Sequence, residues 1–174
     1  MTLSDLANIG SFVSGFAVLV SLVFLTQQIR QANKNQRAII QQGRATRIAE
    51  FLLHVVEPSL LPAWSSGLRG DRQIGPDRYF QFMYIARARF ISFEDSFLHR
   101  RNGLMEEGVF LGHVNAFRQV FSAPGLRAAW KLTRMSYDPD FTRLVDRIAT
   151  EPPRDSASGV QEWLLAVEEE MRVV

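Results

Sequence analysis

The sequence predicts an all-α protein: a single N-terminal transmembrane helix that runs on as a stalk into a small cytoplasmic helical bundle. Three observations predict it. Leu6 to Ile29 are 24 consecutive residues without a charge. No proline interrupts the chain from Met1 to Glu57. Beyond Pro58 the apolar residues recur at three- and four-residue spacings, and no stretch has the alternation of a half-buried strand. With 174 residues there is room for one membrane segment and one modest domain, since a single core usually takes roughly 100–200 residues. The absence of cysteine excludes disulfides, thiolate metal sites and a Cys nucleophile.

Residues 5–29 make the span. A helix of the length of the charge-free run covers roughly 36 Å, more than the hydrocarbon core of about 30 Å. A cleavable signal peptide calls for a basic n-region and an A-x-A-like site; here Asp5 stands before the run, with no Lys or Arg. Five cations, Arg30, Lys34, Arg37, Arg44 and Arg47, follow it before the first acid, Glu50. That asymmetry places the C-terminal side in the cytoplasm and the N-terminus outside. Within the span, Ala7, Gly10, Ser14, Ala17 and Ser21 recur at alternating spacings of three and four. Small residues aligned in this way let helix backbones approach closely, so the stripe predicts a packing face in the membrane.

Residues 30–57 read as a basic juxtamembrane stalk. Arg30, Lys34, Arg37 and Arg44 share one face and are expected to contact lipid headgroups, each worth up to about 1 kcal/mol near an anionic leaflet. Further along, Ile48, Phe51, Leu52, Val55 and Val56 form an apolar stripe that enters the head, and Pro58 ends the helix. From Glu50 onward the chain carries 15 Lys and Arg against 17 Asp and Glu. A head with that balance lacks the basic surface of a nucleic-acid binder.

Residues 58–150 are expected to form the bundle. One short helix is expected before Pro76, which suits a first helical position. The following segment, DRYFQFMYIARARFISFEDSFLHRR, is apolar almost all round and stops at Asn102-Gly103, so it predicts the buried central helix. Three more helices are expected: Met105 to Phe121, Pro124 to Met135, and Asp138 to about Thr150, the last with Asp138 as N-cap and proline in the first turn. Residues 151–174 give a linker and a final helix opened by a Ser158–Gln161 capping box. Its acidic triplet Glu168, Glu169 and Glu170 suggests a solvated face, or one that docks against the basic stalk.

Few residues suggest chemistry. There is no Walker A loop, dinucleotide fingerprint, zincin, nucleophile-elbow or EF-hand signature. His54, His99 and His113 lack the paired Glu-x-x-His motifs of a di-iron bundle, so neither a metal nor another cofactor is expected. The candidate ligand site or buried polar network is Arg87, Glu94 and Arg101, spaced on one face of the central helix among aromatic residues. Glu94 has no base three or four positions away, so its partner must come from another turn, helix or chain.

The span followed by LTQQIRQANKNQRA, then FEDSFLHRRNGL, PGLRAAW and SYDPDF resembles a widespread, uncharacterised group of small bacterial proteins with one N-terminal membrane helix and a cytoplasmic helical body. The resemblance runs from Gly10 to about Arg147 and rests on Glu94, Asn102-Gly103, Pro124-Gly125, Trp130 and Phe141. It implies an architecture and no activity; the expected location is the bacterial inner membrane. The expected function is that of a noncatalytic accessory or scaffolding protein. Its expected partners are membrane lipid and either itself, as a homo-oligomer, or a larger membrane protein complex, with no nucleic acid. Two alternatives stand beside it: a small-ligand sensor or membrane-bound enzyme using the Arg87, Glu94 and Arg101 face, and an anionic-lipid-binding protein.

Overall fold

The computed structural model describes residues 3–152 and 158–172, with side chains described for these except residues 3, 5–7, 9 and 158–160. The described residues are helical, with no strand among them. The helices are α1 (Leu3–Val55), α2 (Leu61–Arg69), α3 (Pro76–Arg101), α4 (Glu107–Phe121), α5 (Pro124–Thr133), α6 (Pro139–Ala149) and α7 (Ser158–Arg172), with a 3-10 turn at Arg134–Ser136. The chain divides into two units, Met1–Thr46 and Arg47–Val174.

The first unit is helical throughout its described length. A stretch of α1 is long and apolar enough to cross a membrane, and its side chains are exposed. Its polar side chains return their hydrogen bonds to the same helix: Ser21 Oγ donates to the Ala17 carbonyl and Thr26 Oγ1 to that of Leu22, both at 2.8 Å. A hydroxyl satisfied in this way needs no water, which a lipid-facing helix cannot supply.

The second unit is a bundle in which α3 packs against α2, α4 and α5. Its boundaries follow local chemistry. Proline opens α2, α3, α5 and α6, where its fixed φ and missing N–H cost nothing. Gly103, at φ +70°, lets the chain turn after α3 as the Asn-Gly pair predicts. Asp138 caps α6, its side chain accepting from the N–H groups of Asp140 and Phe141. The expected helix from Met105 begins at Glu107, and the one expected to reach Met135 ends at Thr133, where the chain tightens into the 3-10 turn.

The core is aromatic. Phe93 stacks on Phe117 with ring centroids 4.2 Å apart, Phe90 meets Trp130 edge-on at 5.2 Å, and Phe141 of α6 meets Phe93 at 5.4 Å. Such pairs add about 0.5–1.5 kcal/mol each beyond the area they bury. Phe82, Ala86, Phe90 and Phe93 are the core face of α3. The all-round burial expected of this helix is corrected here. Phe80, Tyr84 and Ile91 stay exposed, Tyr84 at 68 %, because α2, α4 and α5 cover only part of its circumference. Packing of α2 depends on two glycines: against α5, a Cβ on Gly125 would overlap the Gly67 carbonyl, and against α3, one on Gly67 would enter the Phe82 ring.

Candidate functional site

Two places answer to the sequence-predicted sites, one in each unit. In the first unit, Gly10, Ser14, Ala17 and Ser21 are exposed on α1, and a Cβ built on Gly10 meets nothing within 4 Å. Ala7, the fifth residue of that stripe, lies outside the described side chains. Arg30, Lys34 and Arg37 are exposed. Arg44, the fourth cation of that face, is 4 % exposed.

In the second unit, Glu94 and Arg101 both meet Asp138 at the start of α6. Glu94 Oε1 accepts from the backbone N–H of Asp138 at 2.6 Å. Asp138 in turn gives Oδ1 to the N–H groups of Asp140 and Phe141, at 2.8 and 3.2 Å, and Oδ2 to Arg101 Nη1 at 3.0 Å. The arrangement is a capping box completed from a distance. In the usual box a glutamate three residues into the helix reaches back to the N-cap N–H; here that glutamate is supplied by α3. Arg101 also lies 3.6 Å from Asp140, so the acidic first turn of α6 faces a cation.

Arg87 stands on the other side of Glu94, beside Tyr137, and is exposed. The Tyr137 hydroxyl is buried and makes no hydrogen bond of normal geometry. Burial pushes its pKa above the ordinary tyrosine value, against the opposing pull of Thr133 and Arg87, with the Glu94 charge adding to the rise. It is therefore a neutral phenol at physiological pH. For Asp138, burial acts to raise the pKa, but the Phe141 N–H and the Arg101 and Arg143 guanidinium groups outweigh it and hold the carboxyl below the usual range. The sequence spacing thus brought Glu94 and Arg101 to one feature, the start of α6, and Arg87 to its edge.

Sequence reasoning missed three polar groups of the head. Asp146 accepts from Trp130 Nε1 at 3.0 Å and pairs with Arg134 Nη2 at 2.6 Å, giving a buried indole its partner. Arg127 donates to the carbonyls of Phe121, Ala149 and Glu151 at 3.3, 3.3 and 2.7 Å, closing the C-terminal ends of α4 and α6. A cavity of about 270 Å³ beside it is lined by Arg118, Ser122, Arg127 and Glu151 among others, and by none of Arg87, Glu94 or Arg101. Arg118 pairs with Glu151 at 3.0 Å, so the guanidinium groups of that cavity are already engaged. The only sequence signal for these residues was their type: an arginine fork matches carbonyl groups, and a buried tryptophan needs an acceptor.

The histidines are also placed. His54 meets Glu57 at 2.8 Å, and His99 Nδ1 lies 2.7 Å from the Asp95 carbonyl and 3.2 Å from its carboxylate. Asp95 also meets Arg47 at 3.4 Å. Among the described residues no three His, Asp or Glu side chains converge as a metal site.

These observations define an all-α protein with one candidate membrane span and a head whose identified polar cluster binds helix ends. Compared with known proteins, the chain matches no family model, no curated protein and no solved structure.

Proposed function

We propose that the protein is a noncatalytic, inner-membrane-anchored accessory or scaffolding protein, acting through contacts in and near the membrane. The observation that carries the proposal is the exposed small-residue stripe of α1, Gly10, Ser14, Ala17 and Ser21, on the stretch apolar enough to span. Lipid gives two apolar helices little reason to associate, so close backbone approach over small residues is the available driving force. The head supports the same reading. Glu94, Asp138 and Arg101 are committed to the start of α6, an arrangement that fixes helix register and leaves the Glu94 carboxylate with a structural task.

Replacing Gly10, Ser14 and Ala17 together by leucine should dissociate the complex extracted in mild detergent, read by native mass spectrometry. An unchanged complex would remove the membrane-face argument. A second reading, binding of anionic lipid, is favoured by one observation: Arg30, Lys34 and Arg37 are exposed in a segment without acids. Neutralising those three should abolish the preference for anionic over neutral liposomes, and equal binding would end that reading.

A further inference from the structure

We propose that the start of the α1 stalk holds a lipid headgroup in which two phosphates are joined by a short bridge, as in diphosphatidylglycerol. The inference rests on the anionic-lipid reading and names the lipid. In α1 the headgroup level is marked by hydrogen bonding. Ser21 and Thr26 return their hydroxyls to carbonyls of the same helix, which hydrocarbon tolerates. Gln27, the next residue, carries a carboxamide with two N–H donors and an acceptor oxygen, more than one such bond satisfies. It therefore belongs among headgroups or water.

Depth then ranks the cations. A headgroup layer is roughly 5–8 Å deep on each side of the hydrocarbon core. Measured from Gln27 at the helical rise, Arg30 stands roughly 5 Å along the axis, Lys34 roughly 10 Å and Arg37 roughly 15 Å. Side chains on a helix lean toward its N-terminus, here toward the membrane, and the four-carbon stem of Lys34 brings its charge back into the layer. Arg37 stands beyond the edge of the layer by about a Debye length.

The lateral arrangement selects the lipid. Gln27, Arg30, Gln31 and Lys34 are exposed and line one shallow groove with Asn35 and Ala38; Arg37 is not among its lining residues. Spacings of three and four make the first four neighbours on the helix surface. No Asp or Glu lies in the sequence between Asp5 and Glu50 to neutralise Arg30 or Lys34 from their own helix. Two cations one turn apart, with carboxamide N–H groups beside them, offer donors for two phosphates. A lipid with a single phosphate engages one cation and leaves the other to solvent or to a second lipid. When both phosphates belong to one molecule, the second contact forms within the complex, at the high effective concentration that a short bridge sets.

The test uses the full-length protein in phosphatidylcholine nanodiscs that contain phosphatidylglycerol, with one phosphate, and diphosphatidylglycerol at equal minor mole fractions. Lipids retained on release are counted by native mass spectrometry. Diphosphatidylglycerol should be retained about fivefold over phosphatidylglycerol, the worth of one further cation near the surface. Arg30→Gln and Lys34→Gln should each remove that margin, and Arg37→Gln should leave it within about twofold. Inorganic pyrophosphate in the buffer, at the concentration of diphosphatidylglycerol, should displace none of it; displacement would assign the groove to a soluble ligand and overturn the lipid. Equal retention of the two anionic lipids overturns the two-phosphate assignment and leaves the anionic-lipid reading standing. Retention of both at no more than their mole fractions removes both. A loss in Arg37→Gln equal to that in Arg30→Gln also overturns the proposal, since the groove excludes Arg37.

Discussion

Replacing Glu94 separates a structural carboxylate from a ligand-binding one. Its Oε1 accepts from the Asp138 N–H at 2.6 Å, short enough for a charge-assisted bond. In Glu94→Ala that N–H, partly buried at the start of α6, loses its acceptor, at a cost of about 1–3 kcal/mol. The carboxylate's favourable interaction with the α6 N-terminus goes too, a further ~0.3–1 kcal/mol. A total near 2–3 kcal/mol corresponds to a fall in Tm of roughly 6–12 °C for a domain of this size. Glu94→Gln keeps an acceptor and gives up only the charge, so its loss should be about 1 kcal/mol. The assay is thermal unfolding of the full chain in detergent at one scan rate, followed by near-ultraviolet circular dichroism of the aromatic core. Wild-type Tm in both variants would refute the reasoning, since the bond would then contribute nothing. Equal losses in both would assign the effect to the charge alone.

Two other perturbations test the head by different physics. Gly125→Ala should destabilise by about 1–3 kcal/mol, because the added Cβ overlaps the Gly67 carbonyl and the backbone of α2 must shift; helix propensity alone favours alanine by up to about 1 kcal/mol, so the sign measured by denaturant unfolding distinguishes the two. Asp138 has a depressed folded-state pKa, so its contribution is present above the unfolded carboxylate value of 3.8 and is lost as pH falls below it through the folded value. Asp138→Asn should therefore narrow the stability gap to wild type as pH falls from 5 toward 2, and a gap constant with pH would refute the linkage.

The helix boundaries were legible because they are set locally. Pro76, Pro124 and Pro139 open helices and Gly103 closes one through backbone preferences that act within a few residues. Asp138 was legible as a cap for the same reason. The partner of Glu94 was not, because it is a backbone N–H 44 residues away, and a backbone donor has no residue type to recognise. Gly67 and Gly125 were hidden likewise: their role is an absence of side chain at a crossing, visible only when both backbones are placed. The outer face of α3 misled the reading for a more general reason. Periodicity reports which positions are apolar, and burial depends on how much of the circumference other helices cover. Phe80, Tyr84 and Ile91 are apolar and open, so the central helix carries a core face and a second apolar face that its neighbours leave uncovered.

That second face bears on what the molecule offers its surroundings. In the head, Glu94 and Asp138 bind the start of α6, Arg127 binds the ends of α4 and α6, and Asp146 binds the Trp130 indole. Each of these groups is engaged by a backbone group or an aromatic N–H whose burial would otherwise be unfavourable. A ligand arriving at any of them must displace a bond that holds two helices together, and its binding would be opposed by roughly the worth of that bond, about 1–3 kcal/mol. A partner that covers Phe80, Tyr84 and Ile91, or Trp163 and Met171, displaces only water and gains about 25 cal/mol for each Å² of apolar surface removed from it. Capture of a small polar molecule at the α6 cluster is therefore opposed by the bonds it would displace, an opposition that burial of the open apolar faces does not meet.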